Sequence, residues 1–253
     1  VIRSIWVSIV AISILATVGV VGVVGAYAGL PRGYFQWAGR LFSRAMLWSA
    51  GTPVRVIGLE NIDRLRPQVI ASNHQSMYDV WALAAVVPVR YHFVAKKEIR
   101  KIPIFGRAAE AAGHVFIDRG HRVSAIESLK VAARRIVEDN SSAVVFPEGT
   151  RSLTGDLQNL KKGPFVMAIE AGVPMVPTVV DGTFEILPKR GFRLNPQPIT
   201  VKFGKPVDTR KYTHDDRDAL IVRVRSQMAD MLAELRAPEG YTGPRWLEPQ
   251  EVA

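Results

Sequence analysis

Apolar residues follow three different patterns along the chain. From Ile5 to Leu30 they run without a charge, bracketed by Arg3 and Arg32. At ~1.5 Å per residue this stretch reaches about 39 Å, enough to cross a hydrocarbon core ~30 Å thick. A cleaved secretory leader carries a shorter apolar core of ~7–15 residues, so a retained membrane-anchoring helix is the expectation. From 33 to 50 the spacing becomes helical. Tyr34, Trp37, Ala38, Leu41, Phe42, Ala45 and Trp48 share one face, and Gln36, Arg40, Ser43 and Arg44 occupy the other. An aromatic face opposite an arginine-bearing one suits an amphipathic helix lying in the bilayer interface. A helix packed on a protein core would show the same period. Arg32, Arg40 and Arg44 lie just past the long apolar run, which places the rest of the chain on the cytoplasmic side. The first fifty residues then form either one span plus a surface helix, or a two-helix hairpin in one leaflet.

Beyond residue 50 short β-branched runs alternate with helical stretches. The pattern predicts strands at Val54–Ile57, Val69–Ser72, His92–Ala95, His114–Ile117, Ala143–Phe146, Met175–Val180 and Ile199–Phe203. It predicts helices at Met77–Val87, Arg122–Glu138, Pro164–Ala171 and Asp216–Leu235. Alternation of this kind implies an α/β fold with a mostly parallel central sheet flanked by helices. The expected organisation is membrane-anchoring helices over 1–50 and one α/β domain over 51–253. The Pro- and Gly-rich segment from Ala237 onward reads as a loosely packed tail.

Composition narrows the chemistry. The 253 residues include no cysteine. Disulfides, thiolate zinc sites, iron–sulfur clusters and a cysteine nucleophile are therefore excluded. Lys and Arg total 33 against 23 Asp and Glu, a formal charge of +10. That excess favours anionic partners: a nucleic acid, a membrane surface or a phosphorylated substrate. Basic residues interleaved with exposed aromatics, as nucleic-acid grooves require, are absent from the segment beyond residue 50, so no nucleic acid is expected. No Walker A, Gly-x-Gly-x-x-Gly, His-Glu-x-x-His or Gly-x-Ser-x-Gly pattern occurs. Nothing calls for a resident cofactor, a metal or a serine acyl-enzyme.

Two loops carry the candidate chemistry, each directly after a predicted strand. The first runs Ser72-Asn73-His74-Gln75-Ser76-Met77-Tyr78-Asp79. Five positions on an ideal helix separate two side chains by ~140°, so His74 and Asp79 cannot meet on one helical face. They can meet if His74 precedes the helix and Asp79 reaches back from its first turns. A carboxylate on one ring nitrogen would fix the tautomer and support a general base. A polar helix cap with an incidental histidine is the plainer alternative. The second loop is Phe146-Pro147-Glu148-Gly149-Thr150-Arg151-Ser152. Gly149 permits a positive φ, Thr150 and Ser152 offer hydroxyls, and Arg151 offers a planar fork for a phosphate. Glu148 would orient Arg151 or a substrate hydroxyl, or form an internal pair with Arg151. In a parallel sheet both loops lie at the carboxyl edge, where α/β proteins place ligands.

These blocks, with Lys101-x-Pro103-x-x-Gly106, Gly113-x-x-Phe116-Ile117-x-Arg119 and Val176-Pro177, resemble the glycerolipid acyltransferase family, and within it the bacterial 1-acyl-sn-glycerol-3-phosphate acyltransferases. The resemblance spans residues 73 to 180. It implies acyl transfer from acyl-CoA or acyl carrier protein to the sn-2 hydroxyl of lysophosphatidate, giving phosphatidate. It implies His74 as base, Asp79 as its partner, and Lys96, ahead of its neighbour Lys97, near the reacting carbonyl. It implies acceptor binding by Asn73, Arg119, Glu148, Gly149, Thr150 and Arg151. The expected location is the cytoplasmic membrane, among membrane lipids, with the catalytic domain on the cytoplasmic face. Other acceptors serve the same motifs: glycerol 3-phosphate, another lysophospholipid or a glycolipid. A tethered, non-catalytic lipid- or nucleic-acid-binding protein is the reading from another class.

Overall fold

A computed structural model describes residues 28–102, 105–118, 122–191 and 193–237, with isolated positions between 5 and 25. Most of the apolar stretch at 5–30, Pro103, Arg119 and the tail beyond 237 lie outside the described residues. Among the described residues no helix is long and apolar enough to cross a membrane.

The elements run α1 (Arg32–Ala50), β1 (Val54–Ile57), β2 (Val69–Ser72), α2 (Tyr78–Val86), β3 (Tyr91–Lys96), α3 (Phe105–Ala111), β4 (Val115–Ile117), α4 (Arg122–Glu138), β5 (Ser142–Val145), α5 (Gly163–Ala171), β6 (Met175–Asp181), α6 (Thr183–Ile186), β7 (Ile199–Phe203) and α7 (Arg217–Arg236). The strands form one sheet in the order β1-β7-β6-β2-β5-β3-β4. β6, β2, β5, β3 and β4 are mutually parallel, as the alternation of strands and helices predicts. Strands β2 and β5 are buried at every position, which explains their continuous apolar runs.

The last strand pair departs from the parallel pattern. β7 runs antiparallel to β6, and β1 joins it in parallel at the sheet edge. The connection between β6 and β7 carries Pro188, Pro196 and Pro198 and, among the described residues, holds only the four-residue α6. Proline breaks a longer helix, so no crossover helix forms and the chain returns antiparallel.

Alternate strand residues divide the core between two faces. Val69, Ala71, Ala143 and Val145 pack with Ile136 of α4, Phe165 of α5 and Leu220 and Met228 of α7. Ile70, Val144, Val176 and Val180 pack with Leu47 of α1 and with Tyr78, Ala82 and Leu83 of α2.

Helix α1 corrects the expected face assignment. Gln36 and Ser43, placed on the polar face by spacing, are buried against the domain. Arg40 Nη2 donates to Val87 O at 2.8 Å and Val89 O at 2.7 Å, and Gln36 Nε2 donates to Tyr91 O at 3.1 Å. The physical reason is local. Helix α2 ends at Val86, and the carbonyls at and beyond a helix end need donors, preferably cationic ones. The polar face of α1 supplies them, so Trp37, Leu41 and Trp48 point outward, at 60%, 49% and 78% exposure.

Candidate active site

Strands β2 and β5 are neighbours, with Ala71 opposite Val145. Their parallel direction delivers the two candidate loops side by side at one sheet edge. Backbone and side chain then tie them together. His74 N–H donates to Glu148 Oε1 at 2.9 Å, and Ser152 N–H donates to His74 O at 2.7 Å. The His74 ring stacks on Phe146 with centroids 4.0 Å apart and planes 19° from parallel.

His74 stands before α2, and Asp79 lies in the first turn and reaches back, which resolves the awkward five-residue spacing. Asp79 Oδ2 accepts from His74 Nδ1 at 2.8 Å, Gln75 N–H at 2.6 Å and Ser76 N–H at 2.8 Å. The carboxylate is fully buried, and the His74 side chain is 15% exposed. A helix N-terminus favours negative charge, so the carboxylate is at home there. Since Nδ1 faces a carboxylate, it carries the proton, and Nε2 is the nitrogen left for a substrate. Oδ1 accepts from the hydroxyl of Thr183.

Glu148 does not form the expected contact with Arg151. It is buried, and its second oxygen accepts from Gln158 Nε2 at 2.6 Å, not from Arg151. Burial pushes its carboxyl up to about 7, against the pull of the His74 amide and the Gln158 side chain. Glu148 is thus a brace between loops. Asn73 is corrected in the same way. It is fully buried, its Nδ2 donates to Val180 O at 2.9 Å, and its Oδ1 accepts from Val180 N–H at 2.7 Å. With both ends of the amide bonded to β6, it anchors the loop. Ser152 also turns inward, where its Oγ accepts from Gly155 N–H at 3.1 Å and closes the next turn.

The residues left facing outward are Gly149, Thr150 and Arg151. Gly149 adopts a φ of 78°, the left-handed conformation that its lack of a Cβ allows. Arg151 is half-buried and Thr150 exposed. Lys189, from the segment after α6, donates from Nζ to Thr150 Oγ1 at 2.8 Å. The same segment is held to the His74 loop, because Ser76 Oγ donates to Leu187 O at 2.7 Å.

Lys96 ends β3 at the same sheet edge but bonds to none of these groups. Its Nζ lies 3.3 Å from Glu98, and Lys97 pairs with Asp118. Sequence reasoning missed Thr183, Gln158 and Lys189. A signal existed for two of them: β6 also ends at this edge, beside β2, so the residues after Asp181 belonged to the same set of loops.

An imidazole backed by a buried carboxylate, joined through its own peptide to an arginine-bearing loop, can activate a hydroxyl on a molecule held by its anionic end. Comparisons with known proteins give the family. The family model described as Acyltransferase matches residues 53–181. A 1-acyl-sn-glycerol-3-phosphate acyltransferase from Cocos nucifera is 36% identical over 200 residues, covering 79% of this chain and 64% of that protein. One of the same name from Saccharomyces cerevisiae is 35% identical, covering 79% of this chain and 67% of its own length. The crystal structure of the 1-acyl-sn-glycerophosphate (LPA) acyltransferase PlsC from Thermotoga maritima superposes with a TM-score of 0.81. It is 25% identical, and the match covers 96% of this chain and 97% of that one. The chain belongs to the glycerolipid acyltransferase family, and it is an acyltransferase.

Proposed function

We propose that this protein transfers a fatty acyl group from a thioester to the sn-2 hydroxyl of 1-acyl-sn-glycerol 3-phosphate, giving phosphatidate. The names of its relatives support the acceptor. One observation carries the mechanism: the two hydrogen bonds that join His74 to Glu148 and Ser152, which set the base beside the Arg151 loop.

In this reading the acceptor phosphate lies against Arg151, with Arg119 and Lys189 as further cations. His74 Nε2 takes the hydroxyl proton as the oxygen attacks the thioester carbonyl. Asp79 supports the imidazolium. The new C–O bond leaves a tetrahedral oxyanion, for which Lys96 is our choice of partner. Collapse breaks the C–S bond, and His74 returns the proton to the departing thiolate. Thioester and alcohol become ester and thiol, with no net change in protons. Acyl-CoA and acyl carrier protein both deliver such a thioester. We place the enzyme at the cytoplasmic membrane, held by the apolar stretch at 5–30 and by the outward face of α1, because acceptor and product are lipids.

The test is a purified-protein assay with lysophosphatidate, glycerol 3-phosphate and other lysophospholipids, each offered with acyl-CoA and acyl carrier protein, products read by mass spectrometry. Phosphatidate is the expected product. The His74→Ala variant is expected to lose about 10²–10⁴-fold in rate, the usual contribution of a positioned base. Turnover of another acceptor without lysophosphatidate would overturn the substrate, and an undiminished variant would overturn the base.

A further inference from the structure

Asp79 has two oxygens, and the mechanism uses only one of them. Oδ2 collects the His74 ring and the amides of Gln75 and Ser76. Among the described residues Oδ1 has a single donor, the hydroxyl of Thr183. Both residues are fully buried, so water cannot replace that donor.

We propose that Thr183 is a positioning residue for acyl transfer, its hydroxyl fixing the plane of the Asp79 carboxylate so that Oδ2 meets His74. The proposal rests on the reading of His74 as base. A carboxylate turns broadly about its last torsion, with no sharp rotamer of its own. Donors on Oδ2 resist that torsion from one side only. A donor on Oδ1, arriving from the turn after β6, resists it from the other side and narrows the range over which Oδ2 can stray from His74. The chain is built to deliver that donor. Gly182 turns with a φ of 88°, and a Cβ there would lie 2.3 Å from Pro198 O, so only glycine makes the turn. Thr183 follows at the start of α6, and Leu187 N–H donates back to its carbonyl at 3.2 Å. Its branched Cβ limits χ1, so the hydroxyl is aimed with little freedom. The neighbouring carboxylate does not compete for it, because Asp181 is taken by Arg236 Nε at 2.7 Å.

The experiment compares Thr183→Val, which keeps the shape and removes the donor, with Thr183→Ser, which keeps the donor and removes a methyl. Thr183→Val is expected to lower kcat roughly 10- to 100-fold, the scale on which supporting partners act, with both KM values unchanged. Thr183→Ser is expected to retain kcat within about threefold, and Thr183→Val in an Asp79→Asn background to add no further loss. The low-field proton resonance of the His74–Asp79 hydrogen bond, identified by its absence in His74→Ala, reports without any substrate. It is expected to move in the valine variant and stay in the serine variant. Thr183→Ala replaces Thr183→Val if the latter does not fold. Equal kcat in the valine and serine variants, or an unmoved resonance, overturns the proposal. Absence of turnover in the unaltered protein counts against the acyltransfer reading, and the resonance still decides the role of Thr183.

Discussion

Arg151 and Lys189 come from different loops, joined where the lysine ammonium binds the Thr150 hydroxyl. That partner is neutral, so the bond leaves the positive charge uncompensated. A phosphate held there gains a bidentate fork from arginine and a point charge from lysine. A hydrogen bond to a charged group is worth about 1.5–3 kcal/mol, or roughly 10- to 100-fold in affinity. Arg151→Ala is expected to raise the KM for lysophosphatidate by that factor, and Lys189→Met by somewhat less, with the donor KM unchanged. Varying the two substrates separately checks this. An equal rise for both substrates would remove these side chains from the acceptor phosphate. At this scale residue types were legible and directions were not. His74 and Asp79 meet as the loop reading allows, and Arg151 faces outward. Asn73, Glu148 and Ser152 turn inward because loops packed this closely have buried amides to satisfy, and a linear sequence does not show which neighbour supplies the donor.

At the scale of elements, the five parallel strands follow from their continuous apolar runs, and the polar face of α1 does not follow from its spacing. Its arginine and glutamine serve carbonyls beyond the end of α2, a tertiary need invisible to helical periodicity. The same corner holds two histidines, His92 buried on β3 and His114 half-buried beside β4. Burial lowers His92 to about 4 and His114 to about 3. Asp139 faces His92 and opposes the shift, while Arg135, Arg32 and Arg90 add to it. His114 Nδ1 accepts from Phe93 N–H at 3.2 Å, which needs the neutral ring. The folded values lie below the ordinary ~6.5, so the unfolded chain binds more protons on acidification. This share of stability is complete above about 6.5 and declines as pH falls toward 4 and then 3. The denaturant midpoint is therefore expected to drop across that window. His92→Leu, which cannot protonate, is expected to flatten part of the drop. A midpoint as steep in the variant as in the parent would show that His92 is not the source.

For the whole molecule the question is how a sheet-edge site meets a lipid substrate. The fold keeps three large side chains of α1, Trp37, Leu41 and Trp48, out of its core. They fall four and seven residues apart, so they form a single stripe along the helix. Arg44, which the spacing groups with the polar face, is exposed beside this stripe instead, with its Nη2 donating to Ala85 O at 3.4 Å. The chain carries a formal charge of +10, which an anionic leaflet attracts. Tryptophan in such a stripe gains by entering the headgroup boundary, and arginine can reach back to phosphate. In the proposed location the apolar run at 5–30 also holds the membrane, so simple vesicle binding would not isolate the stripe. Activity on two forms of one acceptor does. In the full chain, Trp37→Ser with Trp48→Ser is expected to lower turnover of long-chain lysophosphatidate embedded in anionic vesicles by about tenfold, since each buried tryptophan contributes on the order of a few kcal/mol. Short-chain lysophosphatidate dissolved as monomers is expected to react at the parent rate, because it reaches the site through water. Equal loss on both forms would mean that the substitutions damage the domain. No loss on vesicles would mean that the stripe faces something other than the bilayer.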